Sequence, residues 1–193
     1  MPVLYARIPE DRLGVLIGPE GRTKRWISEA TGTTIEIDPE DSGVRVAGAD
    51  TDPVSVMKAR DLVIAIGRGF SPERARRLLR EDTFLGVLDI KLATGHREKS
   101  ALRRIRARVI GAGGRARERL EELSGCSVSV YGSTVALIGT GEQLERATRA
   151  VELLLRGSEH STVFHLLARL RRDAAVEAAT SPDEATDADD GGD

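Results

Sequence analysis

The sequence predicts an α+β protein made of two copies of one small unit, each with the element order β-α-α-β-β-α. The first observation is an internal repeat: Ile17-Gly18-Pro19-Glu20-Gly21-Arg22 recurs 93 residues later as Ile110-Gly111-Ala112-Gly113-Gly114-Arg115. The second is that helical apolar spacing and strand-like alternation follow each other in the same order in both copies. A repeat of this length indicates two copies of one folding unit.

The elements of the first copy follow from apolar spacing and from the positions of glycine and proline. Gly18 and Gly32 end two short helical segments, and Pro53 after Asp52 suits the first position of a longer helix. The alternating segments beside them are predicted strands. In chain order we predict a strand at 3–8, helices at 13–17 and 22–30, strands at 33–38 and 44–46 around a turn at 39–43, and a helix at 52–66.

The second copy repeats this order. We predict a strand at 84–92, helices at 101–110 and 115–123, strands at 126–130 and 134–138, and a helix at 142–155. Ser71-Pro72-Glu73 predicts a short connecting helix, with the serine as its N-cap. These boundaries define a first domain at 1–69, a connecting helix at 70–83, a second domain at 84–157, a C-terminal helix at 158–176 and a disordered acidic tail at 177–193.

The formal net charge of −2 hides an uneven distribution of charge. Residues 173–193 carry eight acidic side chains and no Lys or Arg, so residues 1–172 keep 29 basic and 23 acidic side chains, a net charge of +6. The tail has too few large apolar residues to offset the entropy of ordering it. A basic body with an acidic tail favours a polyanionic partner, and the tail either solubilises the protein or competes with that partner.

Several classes of protein are disfavoured. No apolar run approaches the roughly 20 residues that span a bilayer, and the N-terminus lacks the pattern of a secretory signal, so a cytoplasmic location without membrane contact is expected. Cys126 is the only cysteine and the three histidines are not at metal-ligand spacing. Because no nucleophile–base pair or carboxylate pair is visible either, we expect no enzyme activity, no cofactor and no metal.

Both repeated loops place glycines directly before a helix that begins with basic residues. Glycine lets phosphate approach the main chain, and the N-terminus of the helix contributes its positive dipole end. Gly111-x-Gly113-x-x-Ala116 also matches a dinucleotide-binding fingerprint, but the order of elements around it is not βαβ and the first copy fails the pattern. The loops therefore indicate a site for the phosphates of a polyanion.

The two loops differ in charge. Glu20 would lie close to phosphate and repel it, whereas the second loop carries no acid and has arginines before and after it. We therefore predict that the second copy supplies most of the affinity and leave open whether the first binds at all. The candidate residues are Gly111, Ala112, Gly113, Gly114, Arg115, Arg117, Arg119, Arg104 and Arg108 in the second copy, and Gly18, Pro19, Glu20, Gly21, Arg22, Lys24 and Arg25 in the first.

The pattern Ile-Gly-x-x-Gly-Arg, followed by a helix that ends in Glu-x-[Thr/Ser]-Gly and by two strands and a helix, resembles the type I KH domain. Residues 70–75, 125–139 and 160–163 extend this resemblance to the archaeal double-KH proteins, which are related to the eukaryotic ribosome-assembly factor called partner of Nob-one. The resemblance covers roughly residues 3–172. It implies two type I KH domains packed together, followed by the C-terminal helix and the tail.

The resemblance also implies a function. A KH domain holds about four nucleotides of single strand with its GxxG loop. We therefore expect an RNA-binding protein that clamps small-subunit ribosomal RNA, assists subunit assembly or 16S rRNA 3′-end maturation, and meets the maturation endonuclease and the alpha subunit of translation initiation factor two. Two alternatives stay open: a protein-interaction scaffold with degenerate KH domains, and a KH module of RNA decay or translational control.

Overall fold

The computed structural model describes residues 2–38, 42–50 and 52–180. The first domain consists of strand β1 (Val3–Arg7), helices α1 (Glu10–Ile17) and α2 (Arg22–Thr31), strands β2 (Thr34–Asp38) and β3 (Gly43–Ala47), and helix α3 (Pro53–Gly67). A short helix α4 (Pro72–Ala75) and a 3-10 turn (Arg76–Leu79) follow. The second domain consists of β4 (Phe84–Asp89), α5 (Ile90–Thr94), α6 (Lys99–Ile110), α7 (Arg115–Ser124), β5 (Ser127–Tyr131), β6 (Thr134–Gly139) and α8 (Gly141–Leu155), and the last helix is α9 (His160–Thr180).

The two sheets have the same topology. Each is antiparallel and three-stranded, with order β1-β3-β2 in the first domain and β4-β6-β5 in the second. The third strand of each copy therefore lies in the middle, between the first and second strands. Two main helices lie between the first and second strands and one follows the third, and the second domain adds the short α5 directly after its first strand. This arrangement confirms the predicted α+β fold class and the βααββα order of the main elements.

Several predicted boundaries differ from those in the structure. The strand predicted at 84–92 ends at Asp89, because the Asp89 carboxylate accepts hydrogen bonds from the N–H groups of Lys91 and Leu92 and starts α5. The connecting helix predicted at 70–83 is shorter, because α4 and the 3-10 turn end at Leu79 and Arg80 is extended. Helix α9 continues to Thr180, so residues 177–180 are helical and do not belong to a disordered tail. Residues 39–41 of the turn predicted at 39–43, and residues 181–193, lie outside the described residues.

The second sheet is covered on both faces. Every residue of β6 is buried, whereas β3 alternates between buried valines and half-buried Gly43 and Arg45. Val135 and Leu137 point into the core of their own domain, and Ala136 and Ile138 belong to the core cluster of the first domain. The alternate side chains of one central strand thus serve two different cores.

The segment after α3 carries the first domain onto this sheet. Phe70, Ala75 and Leu78 are buried in the same cluster as Ala136 and Ile138. A Cβ at Gly69 would lie 2.7 Å from the Ser129 hydroxyl. The chain therefore crosses the outer face of the second sheet in close contact with it.

Polar contacts surround this apolar interface. The Ser129 hydroxyl donates to the carbonyl of Arg68 over 2.9 Å, and Arg77 donates to the side-chain oxygen of Gln143 over 2.8 Å. Arg74 pairs with Glu121, whose carboxylate also accepts the main-chain N–H of Val128. These bonds set the position of one domain on the other, and they occupy two of the arginines of the connecting segment.

Replacing Ile138 with Ala should lower the free energy of unfolding by about 2–5 kcal/mol, because its side chain is fully buried between the domains. Urea unfolding measures the change. Tyr5→Ser is the matched control, since Tyr5 occupies an outer-face position of the first sheet and is 68% exposed. We expect the control to change stability by less than about 0.5 kcal/mol. Equal destabilisation of the two variants would contradict the interface.

Candidate nucleic-acid interface

The first glycine of each loop has the same conformation and the same steric reason for being glycine. Gly18 has φ 71° and ψ 173°, and Gly111 has φ 74° and ψ 172°. A Cβ on Gly111 would lie 2.6 Å from the Cβ of Ala116 and 2.8 Å from its nitrogen. A Cβ on Gly18 would lie 2.2 Å from the Thr23 hydroxyl. The loop is therefore pressed against the first turn of the helix that follows it.

The third loop position separates the two copies. Both Glu20 (φ 53°, ψ 27°) and Gly113 (φ 61°, ψ 20°) adopt the left-handed conformation. This conformation is easy for glycine and strained for glutamate, at a cost on the order of 1 kcal/mol. The first loop thus keeps the backbone of the second loop in spite of its sequence, and it adds an exposed carboxylate.

The glycine at the fourth position of each loop starts the helix that follows. Gly21 and Gly114 are the N-caps of α2 and α7, both with positive φ, and neither helix has a side-chain cap among the described residues. Most helices place an Asp, Asn, Ser or Thr oxygen at this position. Here the positive end of the helix faces the loop without such an oxygen, as an anion site requires.

The arginines after the second loop lie around the first two turns of α7. Arg115 bends back, and its Nε donates to the carbonyl of Ala112 over 3.2 Å. Arg117 is four residues before Glu121, which faces β5, so Arg117 lies on the side of α7 next to that strand. Arg119 forms an exposed ion pair with Glu122, 2.6 Å long, and such pairs contribute about 0–1 kcal/mol. A phosphate can compete for Arg119 at little cost.

The arginines before the second loop are divided between two faces of α6. Arg108 donates to the carbonyls of Gly157 and Ser158, 3.2 and 3.1 Å away, and Arg104 lines a cleft on that same side. Arg106, which was not among the predicted site residues, donates to the carbonyl of Gly132 over 3.1 Å and thereby holds the β5–β6 turn. Arg104 and Arg108 are four residues apart and share this face of α6, which lines the cleft and does not include the second loop. Their spacing in the sequence does not indicate which way the face points.

An apolar side chain precedes each loop and stays partly exposed. Ile17 is 40% exposed, and Ile110 at the same position of the second copy is half-buried. Each of these side chains adds apolar surface directly before its loop. Ile17 and Ile110 were not among the predicted site residues, although the repeat places both directly before a loop.

The first loop holds its own charges together. Arg22 approaches the Glu20 carboxylate at 3.6 Å, and Arg25 donates to the Glu20 carbonyl over 3.2 Å. Lys24 is half-buried on the next part of α2. Two of the three basic residues that follow the first loop, Arg22 and Arg25, are therefore engaged by Glu20.

Aromatic residues near the loops mostly serve packing. Tyr131 donates its hydroxyl proton to Asp11 of the first domain, and this hydrogen bond is the main cause that raises the Tyr131 pKa. Arg12 lies over the Tyr131 ring, 5.6 Å from its centroid, and Arg76 lies over Trp26 at 4.8 Å. Both rings thus hold the connecting region and the two domains together.

Three further features concern metal binding, membrane crossing and the single thiol. Within the described ranges, no group of three or more His, Cys, Asp and Glu side chains could hold a metal ion. In the same part of the chain, none of the helices combines the length and apolarity needed to cross a membrane. Cys126, the residue directly before β5, is buried, and burial raises the pKa of its thiol to about 11.

The repeated GxxG loop, its uncapped helix and the βααββα topology define a double-KH-domain protein, a class of RNA-binding module. Residues 4–65 match the KH domain model, and residues 85–172 match the model of the second PNO1 KH domain, described as a eukaryotic-type KH domain (KH domain type I).

The chain belongs to the KH-domain family, in the group that contains PNO1 and archaeal Dim2p. It is 45% identical to a KH domain-containing protein of Methanocaldococcus jannaschii, over 86% of this chain and 73% of that protein. Its structure is similar to Dim2p of Pyrococcus horikoshii, with a TM-score of 0.82 and 48% identity over 88% of this chain and 99% of the other. It is also similar to a chain from the a/eIF2alpha–aDim2p–rRNA complex of that organism, with a TM-score of 0.83 and 48% identity over 89% and 95% of the two chains.

Gly111→Ala should lower the free energy of unfolding by more than about 1 kcal/mol, because the new Cβ would overlap Ala116 at a positive φ. Gly141→Ala is the matched control: it lies in the first turn of α8, with open space around its Cβ position and an ordinary φ. We expect this control to be neutral or stabilising. Urea unfolding measures both variants, and a neutral Gly111→Ala would contradict the contact between loop and helix.

Cys126 should react slowly with a thiol reagent at pH 8. Only the thiolate reacts, and a pKa of about 11 leaves little of it in the folded protein. The raised pKa also means that stability falls as pH rises above the unfolded-state value of about 8.5. Labelling with and without denaturant measures the effect, and equal rates in both conditions would contradict the burial.

Proposed function

We propose that this protein binds single-stranded RNA and that the second loop, Gly111 to Gly114, is the main clamp. The observation that carries this proposal is the pair of loops with one backbone and different chemistry. Gly113 holds the left-handed position without strain or charge, where the first loop has Glu20. Phosphate can approach the second loop closely, whereas at the first loop it meets a carboxylate.

The mechanism follows from the parts of the site. Phosphates lie against the glycine backbone and the N-terminus of α7, and Arg115, Arg117 and Arg119 add charge-assisted hydrogen bonds. The bases extend over the apolar surface that begins at Ile110. About four nucleotides fit one such site. If Gly18 to Gly21 also binds, the first domain adds a weaker second contact on the same strand.

The RNA that we propose is the 3′ region of small-subunit ribosomal RNA, with a role in subunit assembly and 3′-end maturation in the cytoplasm. The similarity to a chain from a complex of archaeal Dim2p with rRNA and a/eIF2alpha supports this choice. We extend the proposal to the alpha subunit of translation initiation factor two as a protein partner, and to a maturation endonuclease whose substrate the clamp would expose or shield. Non-enzymatic action by binding alone is part of the same proposal.

Binding of a labelled single-stranded oligonucleotide from the 3′ end of 16S rRNA tests this function. Ala112→Asp/Gly113→Asp should weaken binding at least tenfold, because two carboxylates would meet the phosphates. Pro19→Asp should weaken binding far less. For every phosphate that the variant no longer neutralises, the slope of log affinity against log salt should become shallower by about 0.7.

A reciprocal exchange sharpens this test. Glu20→Gly should strengthen binding and relieve backbone strain, whereas Gly113→Glu should weaken binding and add strain. A wild-type protein that binds no RNA specifically at low salt would refute the clamp, and it would favour the scaffold alternative, in which the domains contact proteins only.

A further inference from the structure

A cleft lies on the side of α6 that faces away from the β5–β6 turn. Residues of the short helix α5, of α6 and of the C-terminal end of α8 line it, and its volume is about 530 Å³. Ala101, Ile105 and Leu155 form its apolar floor, and Arg104, Arg108 and Arg156 stand around it. We call this site the α6–α8 cleft.

All the charged side chains that line the α6–α8 cleft are arginines. His96 and the three arginines line it, and no Asp or Glu is among its lining residues. The Arg108 guanidinium is bound to two carbonyl oxygens, which orient it without neutralising its charge. The guanidinium groups of Arg104 and Arg156 make no hydrogen bond or ion pair with any residue that the structure describes. An anion entering the cleft would therefore meet two unengaged fork donors and one fixed cation.

The apolar floor narrows the choice of anion. A simple phosphate or sulfate would leave Ala101, Ile105 and Leu155 without a contact. A nucleotide combines a phosphate for the arginines with a flat base for the floor, the usual mixture in ligand sites with an apolar lining and few polar groups. The cleft also accommodates more than a single phosphate by volume.

The position of the cleft relates it to the second loop. Arg108 lies three residues before Gly111 and Arg104 seven, so at 1.5 Å per residue they stand about 4.5 and 10 Å along the helix from the loop. A strand held at the loop reaches the cleft by passing around the C-terminal end of α6. The first copy has Asp11 and Val15 at the corresponding positions, so this site belongs to the second copy alone.

We propose that the α6–α8 cleft binds a nucleotide of the same RNA strand, outside the roughly four nucleotides held at the second loop. This inference rests on the proposed RNA-binding function and lengthens its footprint. Arg104 and Arg156 contact the phosphate, Arg108 positions the edge of the site, and the base lies on Ile105 and Leu155.

The test compares two RNA lengths in two double variants. Arg104→Ala/Arg156→Ala should weaken binding of a twelve-nucleotide 16S rRNA fragment about tenfold and leave a four-nucleotide fragment unaffected. With the long RNA, the slope of log affinity against log salt should become shallower by about 1.4, the value for two phosphate contacts on a single strand. Arg169→Ala/Arg172→Ala removes the same charge from exposed positions of α9 and should change neither length.

Crosslinking locates the contact directly. A long RNA with 4-thiouridine at successive positions outside the loop-bound segment should crosslink to a peptide that contains Ile105 or Leu155 in the wild type, and much less in Arg104→Ala/Arg156→Ala. Equal weakening in the two double variants, or equal effects on both RNA lengths, would overturn the proposal while leaving the loop clamp intact.

Two other outcomes distinguish this inference from the proposed function and from a protein-docking role of the cleft. A wild type that binds neither RNA would refute the proposed function and this site together. Decaglutamate serves as the probe for an acidic peptide. If it bound the wild type and bound Arg104→Ala/Arg156→Ala more weakly, while the length of the RNA had no effect, the cleft would be a protein-docking surface and the RNA proposal would be overturned.

Discussion

The packing of one strand between two cores is the contact on which the rest of the molecule depends. Strand β6 buries Val135 and Leu137 in its own domain and Ala136 and Ile138 in the other. Because the period of a strand is two residues, a slip of one residue would exchange these two sets and disrupt both cores. The register of the second sheet and the position of the first domain are therefore one constraint, and the hydrogen bonds around Ser129 and Glu121 refine it.

The two loops show how a duplicated unit diverges while its backbone stays the same. The helix after each loop packs so closely that the first glycine has no substitute, and the turn that follows is forced on whatever residue stands third. In the second copy that residue is Gly113, and in the first it is Glu20, whose strain the surrounding contacts hold in place. Packing against the following helix determines the conformation of the loop, and the side chains on the loop determine its affinity for phosphate.

Most of the fold could be predicted from the sequence because it is encoded twice. The glycines of the loops, the caps at Asp52 and Ser71 and the alternation in β2 and β5 are local signals, and each was visible in both copies or had a clear capping residue. The boundary at Asp89 was missed because Ile90 to Leu92 are as apolar as a strand, and only the carboxylate geometry shows the helix. The uninterrupted apolar run of β6 signals burial on both faces, but it does not reveal which element covers the outer face.

The site was predictable in its loops and not in its flanking arginines. Arg104, Arg106 and Arg108 look alike in the sequence, yet Arg106 ties a hairpin while Arg108 holds the end of α8. Their roles depend on the rotation of α6 about its axis, which the core residues Leu102 and Val109 set. Such roles depend on packing between residues that are distant in the sequence, and a local sequence pattern carries no information about that packing.

The contact between the domains joins unlike surfaces, the end of a helix and a loop from one copy against the sheet of the other. A contact of this kind leaves the equivalent sheet of the first copy uncovered, so in principle another molecule could add there and the addition could continue without limit. The exposed face of the first sheet carries the Glu36–Arg45 ion pair where the second sheet has Ser129 and Ala136. Charge on that face makes its burial costly and therefore disfavours the addition of a further domain there, whereas an apolar face would favour it.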